Sequence, residues 1–189
     1  MANVLISGMA EQATQVGDAL RSRAVDVTEV HDLDQISKVC AAAGPESFDS
    51  YVQLPATFTV RGETAIARLH HFYAEGVLRR FTVLAAVLPT LRNPGRVTFV
   101  LGHLPIDVST RADQEARHAL VEELGHAARA DAGNGALDVR MLDWGATPHD
   151  IALVALGKDP FHEDLLNRLS DMSYAEWRVE VLGLVSVET

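Results

Sequence analysis

Three small groups of side chains have the types and spacings from which chemistry could be built. His103 follows the apolar run Val97 to Leu101, at the carboxyl edge of a sheet where α/β folds hold their ligands, and a neutral imidazole there can accept a substrate proton. Its plain alternative is a loop histidine bonded to backbone beside Pro105. Asp113 and Arg117 stand one helical turn apart and could clamp an anion or a carbonyl. Thr110 to Asp113 equally reads as a capping box, and an acid–base pair at that spacing on a helix surface is worth only about 0.2–0.5 kcal/mol. Asp143, Trp144 and His149 follow a further strand-like run, and an indole beside a carboxylate and an imidazole could line a substrate pocket. Part of that cluster also fits a helix start, with Thr147 as cap and Pro148 in the first position.

Metal chemistry finds no such spacing. His70 and His71 are sequential and face different directions, His118 and His126 are two turns apart, and Cys40 is the single cysteine, on an apolar helical face that reads as core. No nucleophile elbow, Walker loop or paired-cysteine motif occurs, so no metal and no hydrolase or nucleotidase site is expected.

These side chains must be positioned by elements, and the apolar periods supply them. Short runs at Asn3 to Gly8, Ala24 to Val30, Ser50 to Leu54, Val97 to Leu101, Leu137 to Leu142 and Arg178 to Val187 read as strands. Helical periods lie between them. Ala13, Val16, Gly17 and Leu20 mark the first; Leu33, Ile36, Val39 and Cys40 the second, with Asp32 as cap and Gly44-Pro45 as stop. A long helix runs from about Glu63 to Leu88 with Ile66, Leu69, Tyr73, Val77, Leu84 and Leu88 on one side, and Pro89 ends it. Asn93-Pro94-Gly95 reads as a turn. Another helix spans about Arg111 to Asp131, with Ala112, Ala116, Leu120, Leu124 and Ala127 inward, and shorter ones follow at Thr147 to Gly157 and around Phe161 to Met172. Strands alternating with helices predict an α/β Rossmann-like three-layer sandwich whose sheet is mostly parallel, with about six strands.

The 189 residues suit one domain over 1–189. With 48% hydrophobic and 22% charged residues the chain is globular by composition, and its formal charge of −10 repels phosphate backbones and anionic lipid, so neither nucleic acid nor membrane is an expected partner. Met1 leads straight into Val4-Leu5-Ile6 with no basic segment and long apolar stretch, so no signal peptide is expected and a cytoplasmic location is the expectation.

Several stretches resemble the short-chain dehydrogenase/reductase family. Leu88-Pro89 closing a long helix and Gly95-Arg96-Val97-Thr98-Phe99-Val100 are similar to that family's helix and fifth strand. Ala116 to Ala130 resembles the helix that carries its catalytic tyrosine and lysine, Val139 to Gly145 its sixth strand, and Val4-Leu5-Ile6-Ser7-Gly8 its first strand and the opening of its glycine loop. The resemblance also defines departures. Gly8 matches the loop's first glycine, but Gln12 and Thr14 stand where the second and third belong, and side chains there push backbone away from a pyrophosphate. Ala24 to Val30 resembles the family's third strand, which leaves the first half truncated by one strand–helix unit. Gly102, Asp113 with Arg117, and Gly76 occupy the places of the catalytic serine, tyrosine with lysine, and asparagine. A carboxylate of reference pKa about 3.9 cannot take the part of a phenol that exchanges a proton during hydride transfer.

What the resemblance implies is therefore a family-like protein without NAD(P) and without hydride transfer: a pseudoenzyme subunit or scaffold that assembles with itself or with an active relative. In that family the helices matching 63–88 and 111–131 pair between subunits. The alternative expectation is a redox-neutral, cofactor-independent enzyme for elimination, cyclisation or isomerisation that uses His103, Asp113 and Arg117 in the residual crevice. A weaker alternative is an oxidoreductase that binds NAD(P) in an atypical way.

Overall fold

A computed structural model of the chain describes residues 1–55, 60–102, 111–133, 137–142 and 145–160, with 111–114 and 117 described as backbone only. Five strands, β1 (Asn3–Ser7), β2 (Asp26–Val30), β3 (Phe48–Gln53), β4 (Leu91–Val100) and β5 (Leu137–Leu142), form one sheet in the order β2-β1-β3-β4-β5. Every neighbouring pair is parallel. The connecting helices are α1 (Ala10–Arg21), α2 (Ile36–Ala43), α3 (Ala65–Tyr73), α4 (Arg79–Val87), α5 (Arg111–Ala132) and α6 (Pro148–Ala155). The α/β Rossmann-like sandwich is as the alternation of periods predicts. The run at 178–187, expected as a sixth strand, and the helix expected around Phe161 to Met172 lie outside the described residues.

Period-two alternation divides the core between the two faces of the sheet. Leu5, Tyr51, Val97, Phe99 and Val139 face α2, α4 and α5, where they meet Ile36, Cys40, Leu84, Val87, Val121 and Leu124. Val4, Ile6, Val52 and Val100 face α1 and α6 and meet Val16, Leu20, Ile151 and Ala152. Cys40 is buried there as a small apolar residue, and burial raises its thiol pKa, against a hydrogen bond with Thr90.

Four expectations need correction. The segment 63–88 is not one α-helix: α3 is followed by a π turn over Ala74–Leu78, then α4, then a 3-10 turn over Leu88–Thr90. The wider turn shifts the helical phase, so Val77 and Leu84 are buried while Ile66 and Leu69 are 82% and 40% exposed. Second, Asn93-Pro94-Gly95 lies within β4 rather than in a turn before it, where the pairing of β3 with β4 shifts register between Phe48 and Ser50. Third, the inner face of α5 is rotated: Val121, Leu124 and Ala128 are buried and Ala116 and Ala127 are exposed. Fourth, β2 pairs residue for residue with β1, from Asn3 with Asp26 to Ser7 with Val30. It thus holds the second strand's place beside β1. What the described residues lack is the outer unit.

Candidate functional site

In an open parallel sheet, ligands settle outside the carboxyl ends of the strands where the strand order reverses. Here that point lies between β1, whose chain continues outward to β2, and β3, whose chain continues the other way to β4. β1 delivers Gly8 to the crevice with φ +133°, and a Cβ on it would come 2.6 Å from Leu54 Cβ and 2.9 Å from the Leu54 and Pro55 carbonyl oxygens. Only a glycine fits that approach and that conformation. Leu54 N–H donates to the Ser7 carbonyl at 2.8 Å and Met9 N–H to the Pro55 carbonyl at 3.0 Å, so the ends of β1 and β3 are stitched together past the last ladder bonds. On the far side, a Cβ at Gly102 would lie 2.8 Å from Pro55 Cβ. Pro55 therefore stands between the end of β1 and the end of β4.

The connection from β1 to α1 is two residues, Gly8 and Met9. Helix α1 thus starts close to the strand's end, with no side-chain cap and with Glu11 in its first turn. Thr14 of that helix hydrogen-bonds the Glu29 carboxylate at 3.3 Å, and Arg21 reaches the same carboxylate at 2.5 Å, which raises the Arg21 pKa. Glu29 fills the space beside Gly17, where a Cβ would meet its Oε1 at 2.5 Å.

Beneath the crevice lies a polar cluster that sequence reading passed over. Ser7 Oγ and Tyr51 Oη share a 2.6 Å hydrogen bond, and Gln53 Nε2 donates to Tyr51 Oη at 3.1 Å. All three residues are at most 1% exposed. Gln53 Oε1 has no hydrogen-bond partner among the described residues. The Arg80 guanidinium of α4 reaches over the end of β4, with both terminal nitrogens 3.4 Å from the Val100 carbonyl. Burial pushes the Tyr51 phenol up to about 12, although bonds from Ser7 and Gln53 and the Arg80 charge pull the other way. Tyr51 is therefore a neutral, fixed group. The available signal was Tyr51 and Gln53 two apart in one strand-like run, which sets both on one face.

Of the residues singled out from sequence, His103, Asp143 and Trp144 lie outside the described residues, and Asp113 and Arg117 lie on α5, described there only as backbone. His149 sits in the first turn of α6, behind the predicted Thr147 cap. Thr147 Oγ1 accepts from Asp150 N–H at 3.2 Å and Asp150 Oδ2 accepts from Thr147 N–H at 3.1 Å, a full capping box. His149 Nδ1 lies 3.0 Å from Arg23 Nη2, and Arg23 lies past the C-terminal end of α1, the opposite end of that helix from Gly8. A guanidinium can only donate, so Nδ1 accepts. Among the described residues, no group of three or more His, Cys, Asp or Glu side chains could hold a metal ion, and no helix is long and apolar enough to cross a membrane.

With this geometry in view, the likeness to solved structures can be weighed. A protein assigned to the short-chain alcohol dehydrogenases from Burkholderia multivorans superposes with a TM-score of 0.61 at 11% identity, covering 83% of this chain and 91% of that one. The fold is the Rossmann-like α/β fold that these reductases also have. A carbonyl reductase from Pseudomonas aeruginosa in complex with NADP gives 0.55 at 14% identity, over 83% of this chain and 88% of that one. BdcA from E. coli gives 0.51 at 15% identity, over 85% and 91%, and BdcA has also been solved with NADPH. No protein-family model matches the sequence, and no curated protein does.

A pyridine dinucleotide is the group this reductase-like fold implies, and its diphosphate needs close backbone approach and free amides at the first helix. Several of the residues present do not fit it. Met9 N–H already donates to Pro55, Pro55 stands in the crevice, Glu11 puts a carboxylate in the first turn of α1, and Gln12 and Thr14 carry side chains where close approach calls for glycine.

Proposed function

We propose that this chain is a short-chain-reductase-like protein that neither binds NAD(P) nor transfers hydride, and that it serves as a subunit or scaffold assembling with itself or with an active relative through the helical segments 63–88 and 111–131. The observation that supports the reading is the Met9 N–H donated to the Pro55 carbonyl at 3.0 Å, which withdraws one amide of the β1–α1 connection from any diphosphate. Replacing that bond with a phosphate contact would mean moving the end of β3 as well as the loop. Calorimetric titration with NAD, NADH, NADP and NADPH is the test. No heat of binding is expected at millimolar nucleotide, and micromolar binding of any of the four would end the reading.

A further inference from the structure

The two helices on either side of the π turn are anchored very differently. Helix α4 gives Val83, Leu84 and Val87 to the core beneath the sheet. Within α3 only Phe72 is buried, and every residue from 61 to 70 is exposed. Phe72 and Val77 of the π turn form a small cluster of their own, against which Val60, Tyr73 and Leu120 are partly buried.

The start of α3 is tied to itself. Thr64 Oγ1 accepts from Ala67 N–H at 3.1 Å, Arg68 N–H donates to the Thr64 carbonyl at 3.0 Å, and Arg61 N–H donates to His71 Nδ1 at 3.4 Å. Gly62, at φ +144°, lies so close to the first turn that a Cβ on it would come 2.7 Å from the Arg68 nitrogen. Residues 61–73 are therefore a local unit with one buried anchor. A nine-residue helix by itself is marginal in water, so once Phe72 leaves its cluster the amides of α3 lose their protection.

The far side of the π turn is held. Arg79, at which the α-helix resumes, pairs with Glu75 at 3.0 Å and also with Asp34 of the 3-10 turn that precedes α2. Two ion pairs and three buried side chains on one side, against one ring on the other, place the bend at the wide turn between them. We infer that α3 is a hinged arm: residues 61–73 detach from the body as a unit about the π turn at Ala74–Leu78, with Phe72 as the latch, while α4 stays on the sheet. Opening bares Val77 and Leu120 to solvent. The arm divides the segment 63–88 into a fixed part and a movable part, whether or not the chain binds nucleotide.

Hydrogen exchange of the full chain, followed by mass spectrometry, tests the hinge. Amides of 65–73 are expected to exchange at least about 100-fold faster than those of α4 and β1, at a rate that low urea leaves unchanged because a local opening exposes little new surface. Phe72→Ala should speed exchange in 65–73 about tenfold or more and leave α4 and the sheet as they are. Phe72→Leu, which keeps an apolar filler in the cluster, should speed the same segment less. Limited digestion of the wild type with trypsin should cut at Arg68 before Arg79 or Arg80. Exchange of 65–73 in step with α4, a urea dependence shared with the sheet, first cleavage at Arg79 or Arg80, or Phe72 variants in which all segments change alike would each overturn the inference.

Discussion

Ser7 Oγ and Tyr51 Oη lie 2.6 Å apart and join β1 to β3 near the carboxyl ends of the two strands. Because Gln53 also donates to the same phenol, one hydroxyl satisfies two neighbours in a place water does not reach. Tyr51→Phe should therefore cost about 1–3 kcal/mol, since Ser7 and Gln53 lose their partner without regaining water. Urea midpoints measure it. In a double-mutant cycle, Ser7→Ala and Tyr51→Phe should couple by about 0.5–3 kcal/mol, and strict additivity would show that the hydrogen bond contributes little.

The same phenol sets a dependence on alkaline pH. Its folded pKa is raised to about 12, whereas in the unfolded chain it ionises near about 10. The unfolded state therefore releases the proton first. The stability tied to the neutral phenol is complete below about pH 10 and declines as pH climbs toward 12, by on the order of 2–3 kcal/mol for this group. Urea midpoints followed across that range should fall, and Tyr51→Phe should fall less steeply than wild type. Equal slopes would remove Tyr51 as the cause.

Two glycines separate conformational strain from collision. Gly44 adopts φ +81°, and a Cβ placed on it would meet nothing within 4 Å, so Gly44→Ala should cost about 1–2 kcal/mol from backbone strain alone. Gly8 at φ +133° would also drive a methyl into Leu54 and Pro55, so Gly8→Ala should cost clearly more. For a chain of this size each kcal/mol lowers the melting temperature by about 2–4 °C, which calorimetry resolves. Equal losses at the two sites would mean that the ends of β1 and β3 yield easily.

Thr147→Ala removes one half of the α6 capping box and should cost about 0.5–2 kcal/mol. Asp150→Asn, which keeps an acceptor but loses charge at the helix N-terminus, should cost less. Chemical denaturation of both variants checks the order.

The local devices were legible because they depend on neighbours in sequence. Asp32 and Thr147 are caps as the sequence predicts, Asp32 accepting from Asp34 N–H at 3.0 Å and Thr147 accepting from Asp150 N–H. The apolar run at Val4-Leu5-Ile6 reads as a strand, and in β1 all three are buried. The long segment after Glu63 misled because five residues of π turn rotate everything before them, and no apolar spacing signals that widening. The part of Pro55 was equally hidden: a proline after a strand reads as punctuation.

Taken alone, the order of residues determined the alternation of strands and helices, their caps and the departures at Gln12 and Thr14 from a glycine loop, since each follows from local sterics and from side chains a turn or a pleat apart. Only tertiary structure decided that β2 lies against β1, that Pro55 takes the amide of Met9, and that a buried phenol ties Ser7 to Gln53. The bond from Ser7 to Tyr51 spans 44 positions, and contacts of that reach are set by how the whole sheet twists and packs rather than by any nearby pattern.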